Sequence, residues 1–424
     1  MGNFSLAQLV CNGLINSKNS KIRVAHLVSH PIQYFAPLYR AISQKSEIDL
    51  TVYFLSDASL REHPDLGFGR AVQWDIPLLG GYNHILCGDA QSRPIPSGFA
   101  LRPNWAIMRS LLREKYDVIW IHGYNSENTW MATAIGRLFG AKVLLREEQT
   151  LLTPRSTFRR LAKQVVLPFL FRNVTGLCIG TNSQKFFEGY GTKTTFRVSY
   201  CVDNNFFRQW RDRLAPSRIE IRRRLGIATD HPVILFSGKF IDKKQPLLLL
   251  EAFRRLRREL KCYLLLTGDG PLRPELQQTI AREGIPDVIL TGFLNQTELP
   301  SAYTAADLLV LPSAYHETWG LVVNEAMNFG LPIIVSDRVG CAEDLVRDGD
   351  NGFVFKSGDT EGLTHAIRQL VSSAMLRKQF GLRSSEIIGD FSIEVVCDQF
   401  VQACLAVMKS RPSKHQPMLD DLRA

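Results

Sequence analysis

Short apolar runs alternate along the chain with longer segments of mixed polarity. The runs hold four to seven residues and are not apolar at every second position only, which predicts strands buried on both faces of parallel sheets. The longer segments have helical length, and helices commonly end at glycines such as Gly140 and Gly330. The runs that predict strands are residues 22–28, 50–55, 118–121, 142–145, 177–180, 233–237, 262–267, 288–291, 308–311 and 333–336.

These runs form two groups, separated by a polar, arginine-rich stretch at residues 209–230. A chain of 424 residues is too long for one ordinary core, so we expect two doubly wound α/β domains. The predicted domains are residues 21–208 and 231–385, with 209–230 as the linker, 1–20 as an N-terminal extension and 386–424 as a C-terminal helix and tail. Because ligands bind at the carboxyl ends of parallel strands, two facing sheets predict a site in the cleft between them.

The composition is that of a soluble globular protein, with 45% apolar and 22% charged residues. The formal net charge of +10 favours an anionic substrate or surface, although a solvated basic surface explains it equally well. The basic residues are spread along the chain rather than clustered among aromatic residues, which argues against a nucleic-acid partner.

The cysteines and the apolar segments bear on the compartment. The eight cysteines form no Cys-x-x-Cys pair and no zinc-like cluster with histidines, so we expect buried free thiols in a reducing compartment and no metal site. No continuous apolar stretch reaches the roughly 18 to 20 residues that cross a bilayer, and residues 1–20 lack a signal-peptide pattern. The sequence therefore predicts a cytoplasmic protein.

Two glutamates, Glu317 and Glu325, flank the predicted start of a helix near Trp319 or Gly320. The free N–H groups at a helix start bind phosphate, and a glycine there lets a ligand approach the backbone. Glu325 on the second turn could accept hydrogen bonds from a ribose, and Glu317 in the loop could accept them from a sugar. Two glutamates at this spacing, taken alone, more often belong to a surface helix in which one of them caps the N-terminus.

The wider context changes this interpretation, because further pieces follow one order along the chain. They are His122 after a strand, residues 203–206, Gly238 with Lys239 and Lys244, the Gly-Asp-Gly-Pro turn at 268–271, residues 317–325, and residues 330–332. Over roughly residues 22–400 this ordered set resembles the retaining glycosyltransferases of family 4. The resemblance implies the GT-B fold, in which two Rossmann-like domains face each other across a cleft.

The resemblance also implies site residues. Lys239 and Lys244 would point at the donor diphosphate, where the family more often has arginine at the first position. Two cations there would stabilise the leaving group. Lys243 adjoins Lys244, so the assignment could shift by one residue, and each lysine could instead be a solvated loop cation.

His122 would contact the transferred sugar near its reacting carbon, and the turn around Gly268 and Gly270 would lie near the base. Each could instead be structural. The catalytic candidates are thus His122, Lys239, Lys244 and Glu317, and the donor-binding candidates are Gly238, Gly268, Gly270, Thr318, Trp319, Gly320, Leu321 and Glu325. The resemblance implies no cofactor and no metal.

The acceptor side departs from the family. Many relatives have two glycines after the first strand, whereas this chain has Ser-His-Pro-Ile-Gln, so His30 and Gln33 could contact the donor phosphates or the acceptor. Arg146 and Glu147 end another predicted strand and are acceptor-side candidates. The irregular residues 57–104 carry Trp74, Tyr82 and Phe99 as a candidate acceptor loop.

Residues 155–172 are basic in their first half and apolar in their second. Such a helix could lie on an anionic membrane, which would allow peripheral contact with its inner face, or it could pack its apolar face inward.

Together these features predict a transferase that moves a sugar, with retention, from a nucleotide-sugar donor to a glycan, lipid-linked or small-molecule acceptor, in cell-surface polysaccharide or glycoconjugate synthesis. The alternatives are another GT-B enzyme such as a nucleotide-sugar epimerase or a phosphorylase, a non-enzymatic nucleotide-sugar-binding protein, and an inactive transferase. The nucleotide, the sugar, the acceptor and the linkage stay open.

Overall fold

The computed structural model describes residues 21–88, 103–152, 157–228 and 230–409. Every run that predicted a strand forms one, with ends that differ by a few residues. The strands of the described residues are β1 (Ile22–Val28), β2 (Ile48–Phe54), β3 (His63–Asp65), β4 (Arg70–Val72), β5 (Asn83–Leu86), β6 (Val118–His122), β7 (Lys142–Glu147), β8 (Thr175–Cys178), β9 (Thr195–Arg197), β10 (Val233–Ser237), β11 (Tyr263–Thr267), β12 (Val288–Gly292), β13 (Leu308–Leu311), β14 (Ile333–Ser336) and β15 (Gly352–Phe355).

Helices connect the strands in the expected alternation. The helices of the described residues are α1 (Ala36–Ser43), α2 (Trp105–Glu114), α3 (Glu127–Phe139), α4 (Thr157–Phe171), α5 (Thr181–Gly189), α6 (Asn204–Leu214), α7 (Arg218–Arg224), α8 (Pro246–Arg257), α9 (Arg273–Glu283), α10 (Leu299–Ala305), α11 (Leu321–Asn328), α12 (Ala342–Leu345), α13 (Thr360–Ser372), α14 (Ala374–Ile387) and α15 (Ile393–Lys409). The start of α11 after Gly320 confirms the predicted helix start.

Two parallel sheets carry the fold. The first has the order β5-β2-β1-β6-β7-β8-β9, and the second has the order β12-β11-β10-β13-β14-β15. In each sheet the strand order reverses next to its first strand, between β1 and β6 and between β10 and β13. Loops that leave these strands diverge and open a crevice, which is where doubly wound sheets bind ligands.

Residues 57–88 are more regular than their sequence predicts. β3 and β4 form an antiparallel hairpin, and β5 adds an edge strand to the first sheet through parallel pairing with β2. The four residues of β5 are Asn, His, Ile and Leu, which is not an apolar run of strand length. All four are exposed. Tyr82 is buried against Tyr39, and Phe99 lies outside the described residues.

The arginine-rich stretch predicted as a linker is helical and is fixed to the second domain. Arg218 and Arg222 both pair with Asp307, at 2.7 and 2.6 Å, and the Arg222 Nε donates to the Ala305 carbonyl at 2.9 Å. Arg222 is only 4% exposed, so these bonds offset the cost of burying its charge.

The C-terminal helix α15 returns to the first domain and packs against α1 and β9. Phe400 lies with its ring centroid 4.5 Å from that of Trp120, and the Gln399 Oε1 accepts the backbone N–H of Ser199 at 3.0 Å. By length and composition the helical run Ala374–Lys409 could span a membrane, which the sequence analysis did not anticipate, but half of its most apolar window is buried in the protein. Core helices of soluble proteins pass the same test.

The described cysteines are free thiols, as predicted. Six of them are buried and Cys87 is half-buried.

Because α15 packs against the first domain through Phe400, we expect Phe400→Ala to destabilise the protein strongly. The side chain is fully buried, so its removal should lower the free energy of unfolding by about 3–5 kcal/mol through lost contacts and a residual cavity. Urea denaturation followed by tryptophan fluorescence measures this loss. Val395→Ala, on the same helix at 37% exposure, is the control and should cost far less. Equal losses for the two variants would contradict the packing described here.

Candidate active site

The predicted site residues follow the strands that flank the two reversals of strand order. His30 follows β1 and His122 ends β6, whereas Lys239 follows β10 and Glu317 follows β13. The two groups meet through the loop after β1, because the Tyr34 hydroxyl donates to Glu325 Oε1 at 2.9 Å. The structure thus brings the predicted donor and acceptor sides to one cleft.

Lys244 and Glu317 form a close ion pair at the start of the donor segment. Both side chains are largely buried, and the Ser313 hydroxyl donates to Glu317 Oε2 at 2.9 Å. Burial raises the pKa of the Glu317 carboxyl, but the charge and hydrogen bond of Lys244 outweigh it and hold the pKa below its ordinary value. Glu317 is therefore ionised and fixes the lysine ammonium in the cleft.

Lys239 has a carboxylate partner from the first domain. Its Nζ donates to both oxygens of Asp65, at 2.8 Å each, and lies 4.8 Å from the centroid of the Phe68 ring. Asp65 ends β3, in the region that the sequence left irregular. Neither predicted diphosphate lysine is thus a solvated loop cation.

Glu325 is fully buried between two tyrosines. Its Oε2 accepts from the Tyr303 hydroxyl at 2.5 Å, in addition to the bond from Tyr34. Burial raises the pKa of the Glu325 carboxyl to about 7, although the hydrogen bonds from Tyr303 and Tyr34 lower it. The predicted ribose acceptor therefore already has hydrogen-bond partners inside the protein.

The loops that carry Gly238, Gly268 and Gly270 are packed backbone to backbone. At Gly268 the φ angle is +136°, and a Cβ there would lie 1.9 Å from the Gly238 carbonyl oxygen. At Gly270 a Cβ would lie 2.6 Å from the Phe240 carbonyl oxygen. Only glycine fits at either position. These glycines hold the loop of Lys239 in place, and their predicted contact with the base stays a prediction.

Trp319 does not fit its predicted role in donor binding. It is 2% exposed, its Nε1 donates to Asn324 Oδ1 at 2.8 Å, and its ring fills the space beside Gly180. The side chain turns into the interface between the domains rather than into the cleft. Its neighbours Thr318 and Leu321 are half-buried, and their donor contacts stay predictions.

His122 is held by an acid that sequence reasoning missed. Its Nε2 lies 3.1 Å from Glu148 Oε1, while its Nδ1 is buried and has no hydrogen-bond partner among the described residues. Burial raises the pKa of Glu148, but the hydrogen bond and charge of His122 outweigh it and hold the pKa below its ordinary value. Glu148 therefore fixes the orientation of the imidazole.

The Arg146 side chain packs inside the first domain and does not reach the cleft as an acceptor contact. It is fully buried, with its guanidinium 5.3 Å from the Phe35 centroid and 5.0 Å from that of Tyr200, and its Nη1 donates to the Val198 carbonyl at 3.1 Å.

Glu147 is likewise turned inward. Its carboxylate accepts the backbone N–H groups of Tyr124, Glu148 and Gln149 at 2.9–3.1 Å. Burial raises the pKa of this carboxyl. The carboxylate that reaches His122 is thus that of Glu148, one residue along the chain from the predicted Glu147.

The loop after β1 lies beside these groups. The His30 Nδ1 is 2.9 Å from the Ser29 hydroxyl, and burial, with the nearby His63 and His122, lowers the pKa of His30 to about 4. His30 is thus neutral near pH 7. Gln33 is 7% exposed, and its predicted contact with a ligand stays a prediction. Among the described residues, no group of three His, Cys, Asp or Glu side chains could hold a metal ion.

Comparison with known proteins gives a family match for most of the second domain. Residues 217–386 match the family described as Glycosyl transferases group 1. We refer to the matched residues 217–386 as the group 1 domain. The group 1 domain begins within the stretch predicted as a linker and contains Lys239, Lys244, Glu317 and Glu325.

Two curated relatives match part of the chain. Alpha-D-kanosaminyltransferase of Streptomyces kanamyceticus is 32% identical over 185 residues, which cover 43% of this chain and 47% of the relative. The lipopolysaccharide core biosynthesis glycosyltransferase LpsE of Rhizobium meliloti is 34% identical over 183 residues, which cover 43% of this chain and 52% of the relative. The matches span about half the length of these curated relatives.

The fold of the whole chain has solved counterparts. Anabaena HepE, crystallised in complex with UDP, has a TM-score of 0.70 and 18% identity, over 91% of this chain and 100% of HepE. Sucrose-phosphate synthase of Thermosynechococcus elongatus has a TM-score of 0.65 and 17% identity, over 92% of this chain and 99% of that one. The predicted GT-B fold is confirmed.

The buried position of Glu325 predicts a pH-dependent stability. Because its folded pKa of about 7 lies above the unfolded value, its contribution is present at acid pH and is lost as the pH rises through about 7. Glu325→Gln has no charge to bury, so the Tm of the variant minus that of the wild type should grow between about pH 5.5 and pH 8.5. The exposed Glu361→Gln should show no such trend. A constant difference would contradict burial as the cause.

Proposed function

We propose that the protein is a retaining glycosyltransferase that takes a sugar from a nucleotide-sugar donor. The observation that carries the proposal is the arrangement of Lys239, Lys244, Glu317 and Glu325 in the group 1 domain, at the cleft that His122 faces from the first domain. Two cations beside buried acceptors match a diphosphate attached to a ribose and a sugar.

Each group has a chemical task in this reaction. Lys239 and Lys244 stabilise the negative charge that develops on the leaving diphosphate, and Glu325 accepts a hydrogen bond from a ribose hydroxyl. The His122 Nδ1, fixed through Glu148, contacts a hydroxyl of the sugar. With retention by front-face attack, the acceptor oxygen bonds to the anomeric carbon as the bond from that carbon to the phosphate oxygen breaks. The leaving phosphate takes the acceptor proton.

The acceptor in this proposal is a glycan or a lipid-linked saccharide, bound by the first domain. The name of LpsE, from lipopolysaccharide core biosynthesis, supports a place in cell-surface glycoconjugate synthesis. The exposed surface of the first domain supports a lipid environment, at the cytoplasmic face of a membrane.

This apolar surface lies on α4 and at the end of α3. On α4, Val165 is 67% and Phe169 71% exposed, and Leu138 and Phe139 at the end of α3 are 77% and 68% exposed. The two helix ends are adjacent, because Asn173 bonds both to Arg137 and to the Phe169 carbonyl. Large contiguous apolar patches mark interaction sites.

The charge beside the patch favours an anionic bilayer as its partner. Arg137 and Arg172 are exposed next to these side chains. An apolar face framed by cations is the pattern of a helix that lies in an anionic lipid interface. The inward residues Leu167, Leu170 and Phe171 are buried as well, so α4 both packs on its domain and presents a second apolar face.

A donor screen tests the proposed activity. We expect one of UDP-, GDP- or ADP-sugars to raise the melting temperature, because a ligand that binds only the folded protein stabilises it. Slow hydrolysis of that donor, followed by NMR, should first release the anomer that the donor carries. The lack of any shift, or release of the opposite anomer, would overturn donor binding or retention respectively.

Substitution of the two adjacent lysines tests the residue assignment. Lys244→Ala should lower kcat by roughly 10²-fold with a smaller effect on donor affinity, because it removes a charge that stabilises the leaving group. Lys243→Ala is the matched control, since the Lys243 ammonium donates to the His316 carbonyl at 3.4 Å, whereas that of Lys244 pairs directly with Glu317. A larger loss for Lys243→Ala would shift the assignment by one residue.

Vesicle flotation tests the membrane contact. The wild type should float with anionic phosphatidylglycerol vesicles more than with neutral phosphatidylcholine vesicles, and the double variant Val165→Glu, Phe169→Glu should lose most of this binding. Leu382→Glu, at a site 60% exposed in the second domain, is the control. Unchanged flotation of the double variant would exclude this surface, and loss of a dimer instead would assign it to a second copy of the chain.

A further inference from the structure

The hairpin of β3 and β4 belongs to the first domain but lies over the loops of the second. Phe68 contacts Phe293 edge to face, with ring centroids 4.9 Å apart, and the Asn295 Nδ2 donates to the Gln73 carbonyl at 2.7 Å. The Thr297 backbone N–H donates to Asp75 at 3.1 Å. The hairpin therefore spans the cleft at the ends of β11 and β12.

The tip of the hairpin lies on the glycine turn. A Cβ at Gly270 would come within 2.8 Å of the Gly67 carbonyl oxygen, and one at Gly67 would come within 2.6 Å of the Lys239 side chain. The covered loops are those that the proposed function assigns to the donor. The hairpin and a bound diphosphate would thus compete for the same place.

The contact between Asp65 and Lys239 has the chemistry of a phosphate contact. The Lys239 ammonium donates to both Asp65 carboxylate oxygens at 2.8 Å, and Asp65 also accepts the backbone N–H groups of Gly67 and Phe68. An anion with more than one oxygen on Lys239 is also what a donor diphosphate would supply. Asp65 therefore gives Lys239 the kind of contact that a phosphate would give.

A second contact from the first domain resembles the hydrogen bond that a ribose hydroxyl would donate. Tyr34 brings a hydroxyl to Glu325 Oε1 at 2.9 Å, at the residue to which the proposed function assigns the ribose. Glu325 is fully buried, so a ribose hydroxyl reaches it only if Tyr34 moves.

We propose that the first domain carries an internal substitute for the donor: Asp65 replaces a phosphate on Lys239, and the Tyr34 hydroxyl replaces a ribose hydroxyl on Glu325. This inference rests on the proposed function. Donor binding is then an exchange, in which the diphosphate displaces Asp65 with its hairpin and the ribose displaces Tyr34. In the absence of donor the same contacts hold the cleft closed and give Lys239 and Glu325 their partners.

The exchange predicts variants that bind nucleotide more tightly than the wild type. Asp65→Asn removes the competing anion, so both UDP and inorganic diphosphate should bind roughly two- to fivefold more tightly, which corresponds to a partly exposed ion pair. Tyr34→Phe frees one oxygen of Glu325, so UDP should bind roughly two- to tenfold more tightly while inorganic diphosphate, which has no ribose, should be unaffected. Isothermal titration of the full chain measures both, with GDP and ADP as the further nucleotides.

Glu62→Gln is the matched control, because it removes one exposed negative charge next to the hairpin without a contact to Lys239. It should leave all affinities unchanged, and an equal gain there would assign the effect to net charge. If the wild type binds UDP and Asp65→Asn binds it no more tightly, the inference that Asp65 substitutes for a phosphate is wrong. The proposed function would not be affected by that result. If neither the wild type nor any variant binds a nucleotide, the proposed function fails and the substitute fails with it.

Discussion

One continuous apolar core joins the two sheets, and the cleft depends on it. Side chains of the first sheet such as Trp120 belong to the same buried cluster as Leu265 and Leu309 of the second, and Phe400 of α15 closes it. Because this core fixes the carboxyl ends of the sheets face to face, residues as distant in sequence as Tyr34 and Glu325 form a hydrogen bond. The geometry of the site is thus a result of packing between the domains.

Much of this fold could be predicted from the sequence, because buried parallel strands leave short apolar runs and helices leave terminal glycines. Gly320 marked the start of α11, where the backbone needs a positive φ. β5 could not be predicted in this way. Its exposed residues join the sheet only through backbone pairing with β2, which side-chain periodicity does not record.

The candidate site was predictable in position but less so in detail. Spacing showed that Trp319 and Glu147 lie near strand and helix ends, but not that both side chains turn inward. The partners of the lysines were beyond prediction for another reason. Asp65 is 174 residues from Lys239, and only the packing of a hairpin across the cleft brings them together. Single-sequence reasoning carries no information on such distant contacts.

Lys239, Lys244 and His122 each have an acidic partner within the protein. Lys239 has Asp65, Lys244 has Glu317 and His122 has Glu148. A ligand that enters must therefore offer better partners than those already present, and its affinity is the difference between two sets of contacts. Selectivity arises from this difference, because a ligand that lacks either the anion or the hydroxyl replaces only part of what it displaces.

The position of α15 also has a consequence for synthesis of the chain. The helix that covers Trp120 is the last described element to leave the ribosome, about 270 residues after β6. At roughly 5–20 residues per second, the first sheet waits on the order of tens of seconds for this cover. During that time its apolar face is available to chaperones and to neighbouring nascent chains, so the first domain needs protection from aggregation until α15 is made.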